Sequence, residues 1–121
     1  MTLTSSMEDY LEAVFILQKQ NGYVRCVDVA EQLGVKKPSV SRAVKELTKS
    51  GHLVKNADGT LSLTELGLQI AEQIYEKHRF FTEQLIAAGV DPKIAEQDAC
   101  GIEHVISSES FQKLKKVFDD G

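Results

Sequence analysis

The stretch Cys26-Val-Asp-Val-Ala-Glu-Gln-Leu33-Gly34-Val35-Lys36-Lys37-Pro38-Ser39-Val40-Ser41-Arg42-Ala43-Val44-Lys45-Glu46-Leu47 decides how the chain is read. Its first eight residues place Val29, Ala30 and Leu33 on one apolar face of a short helix. Gly34 follows as a stop, because glycine tolerates the left-handed backbone that ends helices. Val35-Lys36-Lys37 makes a turn, and Pro38 fits the first turn of a second helix, where its missing N–H removes no hydrogen bond. In that helix Val40, Val44 and Leu47 mark an inner face, and Lys37, Ser39, Ser41, Arg42, Lys45 and Lys49 point outward. Gly51 closes it. A short helix, a glycine turn, then a polar helix opening on serine and basic residues is the pattern of a helix-turn-helix.

The flanks fit the same frame. Upstream, Ser5 or Ser6 is expected to cap a helix carrying Tyr10, Leu11, Val14, Phe15 and Leu17, with Asn21-Gly22 as its end. Downstream, His52-Leu-Val-Lys55 and Thr60-Leu-Ser-Leu63 flank Asn56-Ala-Asp58-Gly59, which predicts a hairpin turning on Asp-Gly. The expected fold is mainly α, an N-terminal winged helix-turn-helix with a small β-hairpin wing over residues 1–63. A helical segment over residues 64–121 follows. There Thr64 caps a long helix ending near Gly89, Asp91-Pro92 starts another that runs to about His104, and Ser107 or Ser108 caps a last one. That last helix bears Phe111, Leu114, Val117 and Phe118, more apolar surface than a small monomer leaves exposed, so a homodimer is expected.

Charge separates the chain into parts. Between Tyr23 and Ser62, Arg25, Lys36, Lys37, Arg42, Lys45, Lys49 and Lys55 outnumber Asp28, Glu31, Glu46 and Asp58. From Leu63 onward eleven acids face six bases, and the whole chain of 121 residues has a net charge of −4. A basic middle suits DNA, and an acidic C-terminal half suits cations. Hydroxyls and cations on an exposed helix reach phosphates and base edges. The candidate DNA contacts are Arg25, Lys36, Lys37, Ser39, Ser41, Arg42, Lys45 and Lys55. Arg42, the lone guanidinium of its helix, is the candidate for bidentate contact with guanine. Lys36, Lys37 and Lys45 are expected on phosphates, and Lys55 and Asn56 at the wing on the flanking backbone.

Only two cysteines are present, Cys26 and Cys100. No disulfide framework is implied, and with neither an export signal nor a long apolar run the expected location is the cytoplasm. Cys26 lacks ligand-type neighbours at helical spacing and is read as core. Cys100, Glu103 and His104 stand at i, i+3 and i+4, which puts a thiolate, a carboxylate and an imidazole on one helix face. His78 lies on the preceding helix, and Asp9 and Glu12 stand at i, i+3 on the first. Singly, each has a plainer reading: a surface histidine, solvated acids, a small buried cysteine. The trio reads as a candidate divalent transition-metal site. An enzyme is not expected, since no His-Glu-x-x-His motif is present. A winged-helix regulator sensing a non-metal signal is the alternative.

Met7-Glu-Asp-Tyr-Leu-Glu12, Asp28-Val-Ala-Glu-Gln-Leu33, Pro38-Ser-Val-Ser41, Leu63-Thr-Glu-Leu-Gly67, the helix reaching His78, and Cys100-Gly-Ile-Glu-His104 occur in that order. Together they resemble the DtxR/MntR family of iron- and manganese-dependent transcriptional repressors, over nearly the whole chain. The resemblance implies the short form without the SH3-like domain of longer members. It implies metal roles for Asp9, Glu12, His78, Cys100, Glu103 and His104, and binding of palindromic operator DNA by a dimer. The site is a hybrid. Manganese-type members have a carboxylate where Cys100 stands, and iron-type members have this cysteine but a methionine where Asp9 stands. A thiolate favours Fe(II), with Mn(II) the alternative served by Asp9 and Glu12. Glu83 and Glu96 fall near the iron-type ancillary site, but Thr82 stands where a glutamate is usual there.

Overall fold

The computed structural model describes residues 3–120 and divides into two units, Met1–Glu72 and Gln73–Gly121. The outer ends of the two expected segments, residues 1, 2 and 121, lie outside the described residues. The first unit holds α1 (Ser5–Asn21), α2 (Cys26–Leu33), α3 (Lys37–Lys49), β1 (Leu53–Lys55), β2 (Leu61–Leu63) and the start of α4 (Glu65–Ala87). The order is that of a winged helix-turn-helix.

Thr4, not Ser5 or Ser6, caps α1. Its backbone is extended and its hydroxyl accepts from the Met7 N–H at 3.1 Å. The two serines are already helical, so neither has the backbone a cap needs. Gly22 ends α1 in the left-handed region, at φ 81°. Leu11, Val14, Val24, Val29, Val40, Leu47, Leu53 and Leu61 form the core of this unit, all at most 2% exposed. Cys26, at the first helical position of α2, is half-buried rather than in that core.

The hairpin is shorter than its sequence pattern. Leu53 pairs with Leu63, Val54 with Ser62 and Lys55 with Leu61. His52 and Thr60 fall outside the strands. Thr60 instead bridges Arg25, and the Leu61 N–H donates to the Val24 carbonyl at 2.8 Å. Arg25 thus meets the wing hairpin through an isolated β-bridge, beside a sheet of two strands.

The start of α4 is locked to the turn after α3. The Thr64 hydroxyl donates to the Gly51 carbonyl at 2.7 Å and accepts from the Gly67 N–H at 3.1 Å. The Thr64 N–H donates to the His52 carbonyl at 3.1 Å. Gly67 then packs so closely that a Cβ on it would lie 2.1 Å from that carbonyl oxygen.

The second unit holds the rest of α4, with α5 (Pro92–Val105) and α6 (Ser108–Asp120). Asp91 caps α5 through Lys93 N–H, and Ser107 caps α6 through Ser110 N–H, each at 3.1 Å. Phe111 is 2% exposed and packs edge-on against Phe80, which also meets Phe81 and Phe118. Lys77 donates to the Ile106 carbonyl at 3.3 Å, just past the end of α5. Glu76 pairs with Lys115, and that hydrogen bond raises the lysine's pKa above its ordinary value. Ile94, Val105, Val117 and Phe118 remain exposed, Val105 at 82%. No described helix is long and apolar enough to cross a membrane.

Candidate functional site

The spacing on α5 does what helical geometry requires. Cys100, Glu103 and His104 share a face, each offering a ligand atom within 4.8 Å of the others. Glu103 is the centre of the group and is 2% exposed. Both of its carboxylate oxygens are buried without a hydrogen-bond partner. His78 Nδ1 lies 3.4 Å from one oxygen and His104 Nε2 lies 3.7 Å from the other. Within this unit, then, the structure brings together His78, Cys100, Glu103 and His104.

A buried carboxylate lacking hydrogen bonds carries a desolvation penalty of several kcal/mol. A cation held by the same atoms offsets it. The donor set is one carboxylate, two imidazoles and one thiol outside any disulfide, all of which bind divalent transition metals. The residues present therefore fit such an ion. Asp9 and Glu12, in the other unit, are half-buried one helical turn apart, where solvated acids would be exposed. Glu83 is exposed and pairs with Arg79 at 3.3 Å, and Glu96 is exposed. The buried Thr82 hydroxyl, without a hydrogen-bond partner, is a feature that sequence patterning did not indicate.

On α3 the division of faces is complete. Val40, Ala43, Val44 and Leu47 are buried, and Lys37, Ser39, Ser41, Arg42, Lys45 and Lys49 are exposed. Lys36, Lys55 and Arg25 are exposed too. None of Lys36, Lys37, Arg42, Lys45 or Lys55 takes part in an ion pair among the described residues. Their charges are available to an external anion.

Asn56 is different from its expected role. Its side-chain amide donates to the Thr60 and Ser62 hydroxyls, each at 3.0 Å. Both amide protons are committed, and the remaining carbonyl cannot donate to a phosphate. Asn56 thus shapes the wing. Asp58 completes the network by accepting from the Thr60 hydroxyl and the Thr60 N–H. Those bonds, with a smaller contribution from Arg25, hold its carboxyl below the usual value.

Residues 2–61 match the family model for the iron dependent repressor N-terminal DNA binding domain, and residues 64–120 match that for the iron dependent repressor metal binding and dimerisation domain. The transcriptional regulator MntR of Listeria monocytogenes is 36% identical over 114 residues, which are 94% of this chain and 80% of that one. The crystal structure of IdeR from T. acidophilum is 29% identical with a TM-score of 0.79, covering 98% of this chain and 55% of that one. The structure of the manganese regulator SloR is 27% identical with a TM-score of 0.83, again over 98% and 55%. The chain thus spans about half the length of these two solved proteins.

Proposed function

The chain belongs to the iron-dependent repressor family of DNA-binding transcriptional regulators, and from that premise we propose a dimeric repressor of metal-uptake genes whose operator binding is switched on by Fe(II). The observation that carries this reading is the buried Glu103 carboxylate, without hydrogen bonds, beside two imidazoles and the Cys100 thiol. Residues 1–63 read DNA, and residues 64–121 hold metal and dimerise. His78, Cys100, Glu103 and His104 form the core of the ligand set. Asp9 and Glu12 complete it, as the family resemblance implies, so that metal ties α1 to α4 and α5. The bound ion supplies charge that offsets the carboxylates and fixes the spacing of the two recognition helices. Metal and DNA then strengthen each other's binding by the same factor. The target is a palindromic operator, because a symmetric dimer presents two equivalent recognition helices. Two free thiols suit a reducing cytoplasm.

The metal is chosen by Cys100. Mn(II), the metal of the manganese regulator SloR, stands at the weak end of the divalent series and is best served by oxygen. A thiolate strengthens Fe(II) and later ions disproportionately. The test titrates operator binding with Fe(II), strictly without oxygen, and with Mn(II), for the wild type and Cys100→Glu. Fe(II) is expected to activate the wild type at lower concentration, and the substitution to move the preference toward Mn(II). Wild-type metal affinity is also expected to climb more steeply with pH, since the thiol must lose its proton to ligate. An unchanged preference makes Cys100 a packed bystander.

Two further expectations concern α3 and the dimer. Arg42→Ala is expected to cost about 1–3 kcal/mol of operator affinity and to relax sequence preference at one position, with metal binding intact. Selection from a randomised duplex library reads both, and an unaltered preference removes Arg42 from base recognition. Val105, Val117 and Phe118, exposed in the single chain, are expected to be covered in a metal-free dimer. Sedimentation at micromolar concentration with a chelator tests this, and a monomer contradicts it.

A further inference from the structure

The extended segment Tyr23–Arg25, bridged to the wing hairpin at Thr60, has two faces of opposite character. Val24 is fully buried, while Tyr23 is 53% exposed and Arg25 is exposed. The alternation is that of a strand with one face on the core. The Arg25 bridge to Thr60 fixes its register, and the Arg25 N–H donates to the Asp28 carboxylate at 2.9 Å, which fixes its end. On the outward face the Arg25 guanidinium lies over the Tyr23 ring, 5.7 Å from its centroid. A cation–π contact of this kind restrains a guanidinium beside the ring and leaves N–H groups for other acceptors. Arg25 also sits near Asp58, the acid of the wing turn, and contributes to its lowered pKa. That carboxylate accepts from Thr60 through one oxygen and makes no hydrogen bond to the guanidinium among the described residues.

We propose that Tyr23 and Arg25 form a phosphate clamp on the DNA backbone, a contact separate from the recognition helix. It rests on the DNA-binding reading above and adds a residue, Tyr23, to it. The occupant is argued from charge and donor chemistry. A planar fork of N–H donors and a phenolic O–H face solvent together, and a phosphodiester offers only acceptors with negative charge. Lys55, exposed on β1 of the same sheet, adds a second positive charge. The ring holds Arg25 in place and the hydroxyl donates to the same or a neighbouring phosphate oxygen. Because phosphates carry no sequence, the clamp contributes equally to every duplex.

That property sets the experiment. The probe is a mixed-sequence duplex of about 30 base pairs, with binding followed by fluorescence anisotropy over a range of salt. Arg25→Gln is expected to reduce the slope of log K against log salt by about 0.9, one phosphate's worth of released counterions. Tyr23→Phe keeps the ring and loses the donor, so it is expected to weaken binding several-fold, up to about tenfold, with the slope unchanged. Tyr23→Leu loses the platform too, and its effect is expected to shrink when Arg25→Gln is already present. Both positions are solvent-facing, so melting temperature and metal affinity report folding independently. If the wild type binds duplex DNA while Arg25→Gln leaves the slope intact and Tyr23→Phe leaves the affinity intact, the clamp is wrong and the recognition-helix reading stands. If the wild type binds no duplex at any salt, with or without metal, both fall together.

Discussion

Replacing Glu103 with glutamine is expected to abolish the response to metal and, measured at about pH 8, to raise the melting temperature of the metal-free protein. The two effects have opposite signs and one cause. Without metal, the wild type holds a carboxylate that is 2% exposed and has no hydrogen-bond partner. An amide of the same shape removes the charge and can donate to His78 Nδ1, 3.4 Å from the present oxygen. With metal bound, the sign reverses. An ion present at 100 times its Kd stabilises the folded wild type by about 2.7 kcal/mol, which for a domain of this size is roughly ten degrees. The variant loses its central anionic ligand and most of that increment. Differential scanning calorimetry with and without Fe(II) or Mn(II) measures both. A variant that still gains as much from metal as the wild type shows that Glu103 is not a ligand.

Gly67→Ala is expected to be among the most destabilising single-methyl additions in the chain. The new carbon would sit 2.1 Å from the His52 carbonyl oxygen. That oxygen is backbone, fixed by the Thr64 N–H, so it cannot rotate away as a side chain would. Overpacking of this kind costs typically 1–3 kcal/mol, occasionally more, and the upper end is expected because the obstacle is backbone. Native domains have about 5–15 kcal/mol in total. Gly101→Ala provides the contrast. Gly101 lies inside α5 with nothing within 4 Å of its built Cβ, so alanine there is expected to stabilise by up to about 1 kcal/mol through helix propensity. Urea melts of the two variants give the comparison. Equal midpoints would mean that α4 does not seat on residues 51–52 as described.

Much of the fold was legible because its signals are local. Gly34 before Pro38, Asp58-Gly59 between apolar runs, and Asp91-Pro92 at a helix start each act within a few residues of their own position. The features that escaped are set by distance in space. Three consecutive hydroxyls, Thr4, Ser5 and Ser6, compete equally for the α1 cap, and only backbone conformation selects Thr4. Residues 23–25 are too short for alternation to indicate an extended segment, and the bridge from Arg25 to Thr60 is set by their meeting in space. Asn56 was expected on DNA, because nothing in its neighbours' identities says that its amide is already engaged with Thr60 and Ser62. At the candidate metal site, helical spacing put Cys100, Glu103 and His104 on one face. It did not say that Glu103 would be the most deeply buried of the three, since burial depends on what α4 lays over it.

The engagement of Asn56 bears on the thermodynamics of association. A wing held only by its two short strands would retain many conformers in solution and lose them on touching a duplex. Here Asn56, Asp58, Thr60 and Ser62 bind one another, and the turn between them is closed by the Gly59 N–H donating to the Asn56 carbonyl at 2.9 Å. That disorder has been given up at folding. Contact of the wing with DNA is then expected to proceed without the ordering cost of coupled folding and binding, with a heat-capacity change set mainly by the area buried.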